Sequence, residues 1–558
     1  LEGRIVTDGL EMTRRETLLW GLAGAAAALA PASAAAESMA QGRVFVDRAD
    51  RAGLAGVLVS NGRDVAVTDA EGRWRLPAPA PCAFFVIKPR GYMVPVDPVT
   101  GSPRFYYLHS PEGSPASLGL TFAGLAPTGP LPASIDFALH PQEEPDAFEV
   151  VLFTDPQPES EVEVDFIRED AIEALAGTKA RFGLTAGDIM FDDLSLYDRY
   201  NRIIGTIGLP WWNIGGNHDL NYEAPDRALS RETFRRVYGP NYYAFFYAQT
   251  LFLMLDNVDY LGHDPAQPKG AGKYEGRIDA TQLEFIKQTL AHTPAETLIV
   301  IVMHIPIVNV IDPQENYDRL VNAQALFALF EGRKYTVSFA GHTHTTEHVY
   351  FGAAEGWKGE GAHHHHILTA VSGSWWSGPL DHRGVAVADS RDGTPNGFHI
   401  LAVDGLSYKT RFVPFKEPNG RQMRLSVDSR FHRPNAEIYA ELRPGELLSS
   451  RIAQATLGAA TLIANVFDGG PKTRVLMRIG ARAPIEMTRK TMADPFVAEL
   501  FARNAAVTKP WVKAEISSHV WTARLPADLP VGAHRVVVEA TTEYGEAVSG
   551  RLALEITG

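Results

Sequence analysis

Five apolar runs in the middle of this chain stop at residues that can hold a metal ion. Val150-Val151-Leu152-Phe153 leads into Asp155-Pro156-Gln157, and the run 182–186 into Gly187-Asp188. Trp211-Trp212-Asn213-Ile214 leads into Gly216-Asn217-His218-Asp219. The run 298–303 leads into His304, and 337–340 into Gly341-His342-Thr343-His344. Between the runs lie stretches with helical spacing, at 166–175, 197–207 and 316–331. A further helix is expected after Asp279, with Asp279 as its N-cap and Gln282 completing a capping box. Strands alternating with helices indicate a layered α/β domain, placed at 148–400. In an open α/β sheet, ligands bind outside the carboxyl ends of the strands. Asp155, Gln157, Asp188, Asn217, His304, His342 and His344 would then meet at one place.

Those residue types define the chemistry. Carboxylate, amide and imidazole donors suit Fe, Mn, Zn or Ni. The chain has one cysteine, Cys82, so it forms no internal disulfide and no cysteine-rich zinc site. Gly187, Gly216 and Gly341 allow the backbone to turn sharply beside the metals. His342 and His344 are one residue apart, and on extended backbone their side chains share a face. Each could reach a different ion of a pair spaced about 3.5–4 Å.

The flanks read differently. Residues 41–143 show short β-rich runs, Val44-Phe45-Val46, Val57-Leu58-Val59 and Val65-Ala66-Val67, separated by turns. This pattern, closing on TDAEGRWRLP, resembles a transthyretin-like or carboxypeptidase-regulatory β-sandwich. A Pro/Gly/Ser-rich stretch around 111–132 reads as a loop. Residues 401–558 return to strands, including Leu462-Ile463-Ala464-Asn465-Val466, with a partly helical stretch at 484–507. The 558 residues carry a formal charge of −14, which argues against long nucleic acids as partners. A small phosphorylated substrate stays compatible, because metal ions supply local positive charge. Residues 1–36 read as a removable signal: Arg14-Arg15, a short apolar run, then Ala32-Ser33-Ala34. It resembles a twin-arginine leader, so the chain is expected to be exported, periplasmic or extracellular, with no membrane span. Residues 1–11 precede a candidate initiator, Met12, and are left out of the fold reading.

Taken in order, DPQ, GD, GNHD, a strand-end His and GHTH resemble the calcineurin-like metallophosphoesterases. SGSWWSGPLDHRG and DGTPNG further resemble a bacterial branch with an N-terminal β module and a dedicated C-terminal domain. The resemblance implies an α/β fold: a central metallophosphoesterase β-sandwich with flanking helices, between an N-terminal transthyretin-like sandwich and a C-terminal β-rich domain. It implies two Fe, Mn or Zn ions. Asp155, Gln157, Asp188 and His344 would hold the first, with Asp188 bridging, and Asn217, His304 and His342 would complete the second. A metal-bridging hydroxide would attack a phosphomonoester or phosphodiester, with His218 as general acid. Asp219, Asp192 and Asp193 are all candidates to orient His218. Gln157 departs from the commoner D-x-H pattern. It is the feature that would favour the rival reading, a non-enzymatic binding or adhesion protein.

Several residues have two readings. His363-His364-His365-His366 alternates faces if it is a strand, so one or two of the run, His364 and His366 first, would line a substrate pocket. Trp375, Tyr274 and Asn396 are further pocket candidates, followed by Asp381 and His382. Trp375-Trp376 reads also, and by preference, as core or interface packing between the central and C-terminal domains. His348 reads as structural.

Overall fold

The computed structural model describes residues 38–263, 272–416, 420–428 and 450–558. The signal reading of 1–36 falls outside the described residues. At the centre, two mixed sheets stack face to face. The first runs Trp211–Ile214, Phe182–Ala186, Ala147–Phe153, Gly397–Asp404, Ser407–Pro414. Its first three strands are parallel, and the last two add antiparallel, so this sheet extends past residue 400. The second runs Tyr243–Tyr247, Thr250–Met254, Leu298–Val302, Thr336–Ala340, His363–Ile367, Glu347–Phe351, with the inner four parallel.

Alternation along one strand explains the layers. Val150 and Leu152 point between the sheets, into the core shared with Leu251, Leu253 and Val300. Val151 and Phe153 point outward, under the helices that carry Val164, Ile167, Tyr200 and Ile204. A strand buried on both faces reads as a continuous apolar run, which is why these strands show no polar alternation.

Three expected elements differ in detail. The helix read at 166–175 starts at Glu161, capped by Ser160, and passes through a π-turn at Arg168–Ile172. Asp279 does cap the helix Ala280–Ala291 through the Gln282 amide. The Gln282 side chain does not return the bond; it pairs with both backbone groups of Asp256 instead. The helix read at 316–331 shrinks to Ala323–Ala328. Asn309 is the physical reason: its side chain binds the Asp318 carbonyl and the Ile311 and Asp312 amides, holding 309–318 as a loop.

The N-terminal module is two four-stranded sheets around Trp74, Phe84 and Phe137. It docks through Phe85 on Phe285 and Phe105 on Trp212. A buried ion pair joins them: Lys88 Nζ lies 2.5 Å from Glu144, and both side chains are almost wholly enclosed. The C-terminal domain is a four-stranded and a five-stranded sheet packed around Trp521, Met477 and Val538. No described helix is long and apolar enough to cross a membrane.

Candidate metal centre

Each candidate ligand follows the C-terminal end of a parallel strand, and the backbone there is strained. Asp155, Gln157, Asp188, His342 and His344 have φ of 50°, 38°, 49°, 74° and 52°. Asp192, Trp375 and Trp376 share this left-handed conformation, making eight of the ten such non-glycine residues described. Strain of this kind costs about 1–3 kcal/mol per residue and gathers at functional sites. Its concentration at the carboxyl ends of strands from both sheets marks that end of the sandwich as the working face. Gly216 and Gly341 matter because of close approach: a Cβ at Gly216 would sit 2.0 Å from Asp188 Oδ1, and one at Gly341 2.2 Å from Asp155 Oδ2.

His304 Nε2 is the hub of the cluster. It lies 3.1 Å from Asp188 Oδ2, 3.0 Å from Asn217 Oδ1 and 3.2 Å from His342 Nδ1. Asp188, His304 and His342 point one donor atom each into a shared space that could hold a metal ion. Donors bonded at 2.0–2.1 Å to one ion lie about 3.0–3.4 Å apart, so the spacing fits. Across Asp188, Gln157 Nε2 is 2.9 Å from Oδ2, and His344 Nε2 is 3.6 Å from Asp155 Oδ1. Gln157 Oε1 is buried without a hydrogen-bond partner, the kind of orphaned acceptor that a cation satisfies.

The three histidines are oriented as ligands are. His304 Nδ1 binds the Ala186 carbonyl at 2.9 Å, His344 Nδ1 binds the Gly373 carbonyl, and His342 Nε2 meets Asp318 Oδ1 at 2.9 Å. Each ring is thereby fixed with its other nitrogen facing the cluster. Asp318 was hidden in the sequence, because it lies in the stretch that reads as helix.

Electrostatics agree with a cation site. Burial would raise Asp188, but the charge of His304 and then His218 outweighs it and holds the carboxyl below its ordinary value. Burial pushes Asp155 up to about 6, against the pull of His304. Burial drops His344 to about 3, leaving the neutral imidazole that coordinates metals. Burial would also lower His304, yet the Asp188 carboxylate raises it to about 9. A carboxylate placed to hold that proton is placed to hold a metal cation.

His218 stands beside the cluster. Its backbone N–H donates to Asp188 Oδ1 at 2.9 Å, and its Nδ1 lies 2.7 Å from Asp192 Oδ1. The ring stacks on Phe191, which stacks in turn on Trp511 from the C-terminal domain. Asp192 is therefore the partner of His218. Asp219 is not: it is wholly buried and accepts from the Ile189, Met190 and Gly216 amides and the Tyr197 hydroxyl. It braces the turn that carries the site. Asp193 caps a short helix through Ser195.

The pocket candidates divide. Trp375 stacks on His344 with ring centres 3.9 Å apart, and Tyr274 meets the edge of His342. Trp376 is core, its indole N–H bonded to the Pro156 carbonyl. Asn396 is buried and binds the Val371 carbonyl. Asp381 accepts from the Arg383 and Val385 amides in a turn, and His382 is exposed. His364 and His366 have partners apart from the metal cluster: His348, Tyr408 and Thr410 of the central sheets and Asp468 of the C-terminal domain.

Residues 40–123 match the profile described as the N terminal of calcineurin-like phosphoesterase, and residues 365–547 that described as its C terminal. On both sides of the candidate metal centre the chain is therefore similar to calcineurin-like phosphoesterases. The two matched stretches flank the segment from Asp155 to His344. That likeness supports a metal-dependent phosphoesterase, and the sheets that carry the site have the expected α/β order. Among solved structures, a purple acid phosphatase from yellow lupin (Lupinus luteus) seeds aligns at 12% identity and a TM-score of 0.35, over 66% of this chain and 68% of that one. No curated protein matches this chain.

Proposed function

We propose that this phosphoesterase hydrolyses a small phosphomonoester or phosphodiester at a two-metal centre, in an exported compartment. The observation that carries the reading is the convergence of Asp188, Asn217, His304 and His342 beside His218. Asp155, Gln157, Asp188 and His344 would hold one ion, and Asp188, Asn217, His304 and His342 the other. The ions would supply an activated water and neutralise charge on the phosphoryl oxygens.

The chain's own residues do the rest. Burial would lower His218, but the neighbouring Asp192 carboxylate raises it to about 9, so the ring carries a proton at neutral pH. Asp192 holds Nδ1, and Phe191 restricts the ring from one face. Nε2 is then free to donate its proton to the leaving oxygen. A protein that only bound a ligand would have no use for such an acid. Trp375 and Tyr274 flank the centre, where the non-phosphate part of the substrate would lie. The export reading rests on the leader at 12–36 alone.

The test is to load the purified chain with Mn, Fe or Zn and assay bis(p-nitrophenyl) phosphate and p-nitrophenyl phosphate. The His218→Ala variant should lose about 10²-fold or more of turnover while keeping its metal. Metal bound at His304 and His342 with no turnover under any ion would sink the reading.

A further inference from the structure

The four-histidine run has two faces with different fates. His363 lies 2.9 Å from Thr336 Oγ1 and 2.7 Å from Ser338 Oγ. His365 lies 2.7 Å from Ser338 Oγ and accepts the Ile307 amide at 3.1 Å. These two rings are satisfied within the sandwich. The opposite face is not closed in the same way. His366 pairs directly across from His348 on the neighbouring antiparallel strand. His399 comes from the other sheet, in Gly397–Asp404. Asp468 comes from the turn after Thr461–Val466 in the C-terminal domain.

These four side chains meet at one atom. His348 Nε2, His366 Nε2 and His399 Nε2 lie 3.1, 3.0 and 3.3 Å from Asp468 Oδ1. The three imidazoles are fully buried, while Asp468 keeps 14% of its side chain exposed. One carboxylate oxygen has two lone pairs, so it cannot accept three N–H bonds in good geometry. His366 is the ring left over: its Nε2 makes no hydrogen bond despite its 3.0 Å approach. A buried imidazole nitrogen without a partner, aimed at a carboxylate among two others, is costly as it stands.

A shared cation removes that cost. Donors on one ion with bonds of 2.0–2.1 Å are about 3.3 Å apart, close to the distance of each imidazole nitrogen from Asp468 Oδ1, and His348, His366 and Asp468 already place one donor atom each around a shared space. Two of the three outward nitrogens have takers for the protons that the inward ones must lack, while His399 Nδ1 is buried without one. His348 Nδ1 faces His364 Nε2 at 2.9 Å, and His364 Nδ1 faces the Tyr408 hydroxyl at 2.9 Å. His366 Nδ1 lies 3.4 Å from Thr410 Oγ1. We propose that His348, His366, His399 and Asp468 bind one divalent transition metal of the zinc class at a structural site separate from the phosphoesterase centre. With His399 drawn in as the fourth donor beside the compact trio, the shell would be tetrahedral and closed, as in structural rather than catalytic zinc sites. The ion joins both sheets of the sandwich to the C-terminal domain. His364 is a positioning residue that fixes the tautomer of His348.

The test uses the full chain without a histidine tag. In a chain carrying Asp188→Asn, His304→Ala and His342→Ala, zinc analysis after dialysis should still find about one equivalent per chain. Adding Asp468→Asn should weaken zinc binding at least about tenfold, and adding His399→Gln should do the same. Cobalt loaded into the triple variant should show the intense visible bands of four-coordinate Co(II), and these should vanish with either added change. Circular dichroism guards against misfolding. If the triple variant fails to fold, the same two changes in the otherwise unaltered chain should each remove the same single equivalent. No retained zinc in the folded triple variant, or zinc indifferent to Asp468→Asn and His399→Gln, would overturn the proposal. That result leaves the phosphoesterase reading untouched, because none of its ligands is shared.

Discussion

Gly216→Ala is the smallest perturbation that reaches the centre. Gly216 does not have a left-handed backbone, so alanine meets no conformational penalty there. Its only fault is the methyl group, which would lie 2.0 Å from Asp188 Oδ1 and 2.4 Å from the Asp188 backbone nitrogen. Ordinary contact begins near 3.4 Å, so the carboxylate or its backbone must yield by more than about 1 Å. Neither is free to swing. Oδ1 accepts the His218 amide, while Oδ2 faces both His304 and Gln157 at 2.9–3.1 Å. A 1 Å misplacement costs on the order of 10²-fold in rate, or about 2.7 kcal/mol of barrier. Overpacking adds about 1–3 kcal/mol of lost stability. The assay is turnover of bis(p-nitrophenyl) phosphate, with metal content and thermal unfolding measured on the same sample. Gly458→Ala is the control, since its Cβ would meet nothing closer than 3.5 Å. If Gly216→Ala kept full metal and turnover within about threefold of the unaltered chain, Asp188 would not be the shared carboxylate of the centre.

Three further outcomes are expected. Asp192→Ala should cut turnover about 10²-fold with an unchanged melting temperature, whereas Asp219→Ala should cost about 3 kcal/mol or more in denaturant unfolding. Reversed results would exchange the roles assigned to the two acids. Lys88→Met or Glu144→Gln alone should cost about 3–5 kcal/mol, because each strands a buried charge, and the double variant should recover most of it. A double-mutant cycle by urea titration reads this directly. Cys82 is buried and burial pushes its thiol up to about 12. It should therefore resist Ellman's reagent at pH 8 until the N-terminal module unfolds, and prompt labelling in native buffer would contradict that packing.

What could be read from the sequence was what its local order expresses. Apolar runs ending in Asp, Gln, Asn or His placed seven candidate ligands, because parallel strands in each of the two stacked sheets carry their ligands at their carboxyl ends. Partners fixed by packing were less visible. Asp192 and Asp219 both stand within a few residues of a motif, and only the direction of each turn sends one to His218 and the other into the backbone. Asp318 was masked by a false helical period that Asn309 interrupts. The histidine run announced something, yet its companions His348, His399 and Asp468 are spread over about 120 residues and two domains. No local pattern could have joined them.

The strand Gly397–Asp404 inserts beside Ala147–Phe153, with His399 opposite Leu152. The sheet that carries Asp155 and Asp188 therefore closes a loop of about 250 residues before its edge is complete. Such distant pairing makes for high contact order and slow folding. Until residue 404 has been made, Ala147–Phe153 has its parallel neighbour on one side and no strand on the other.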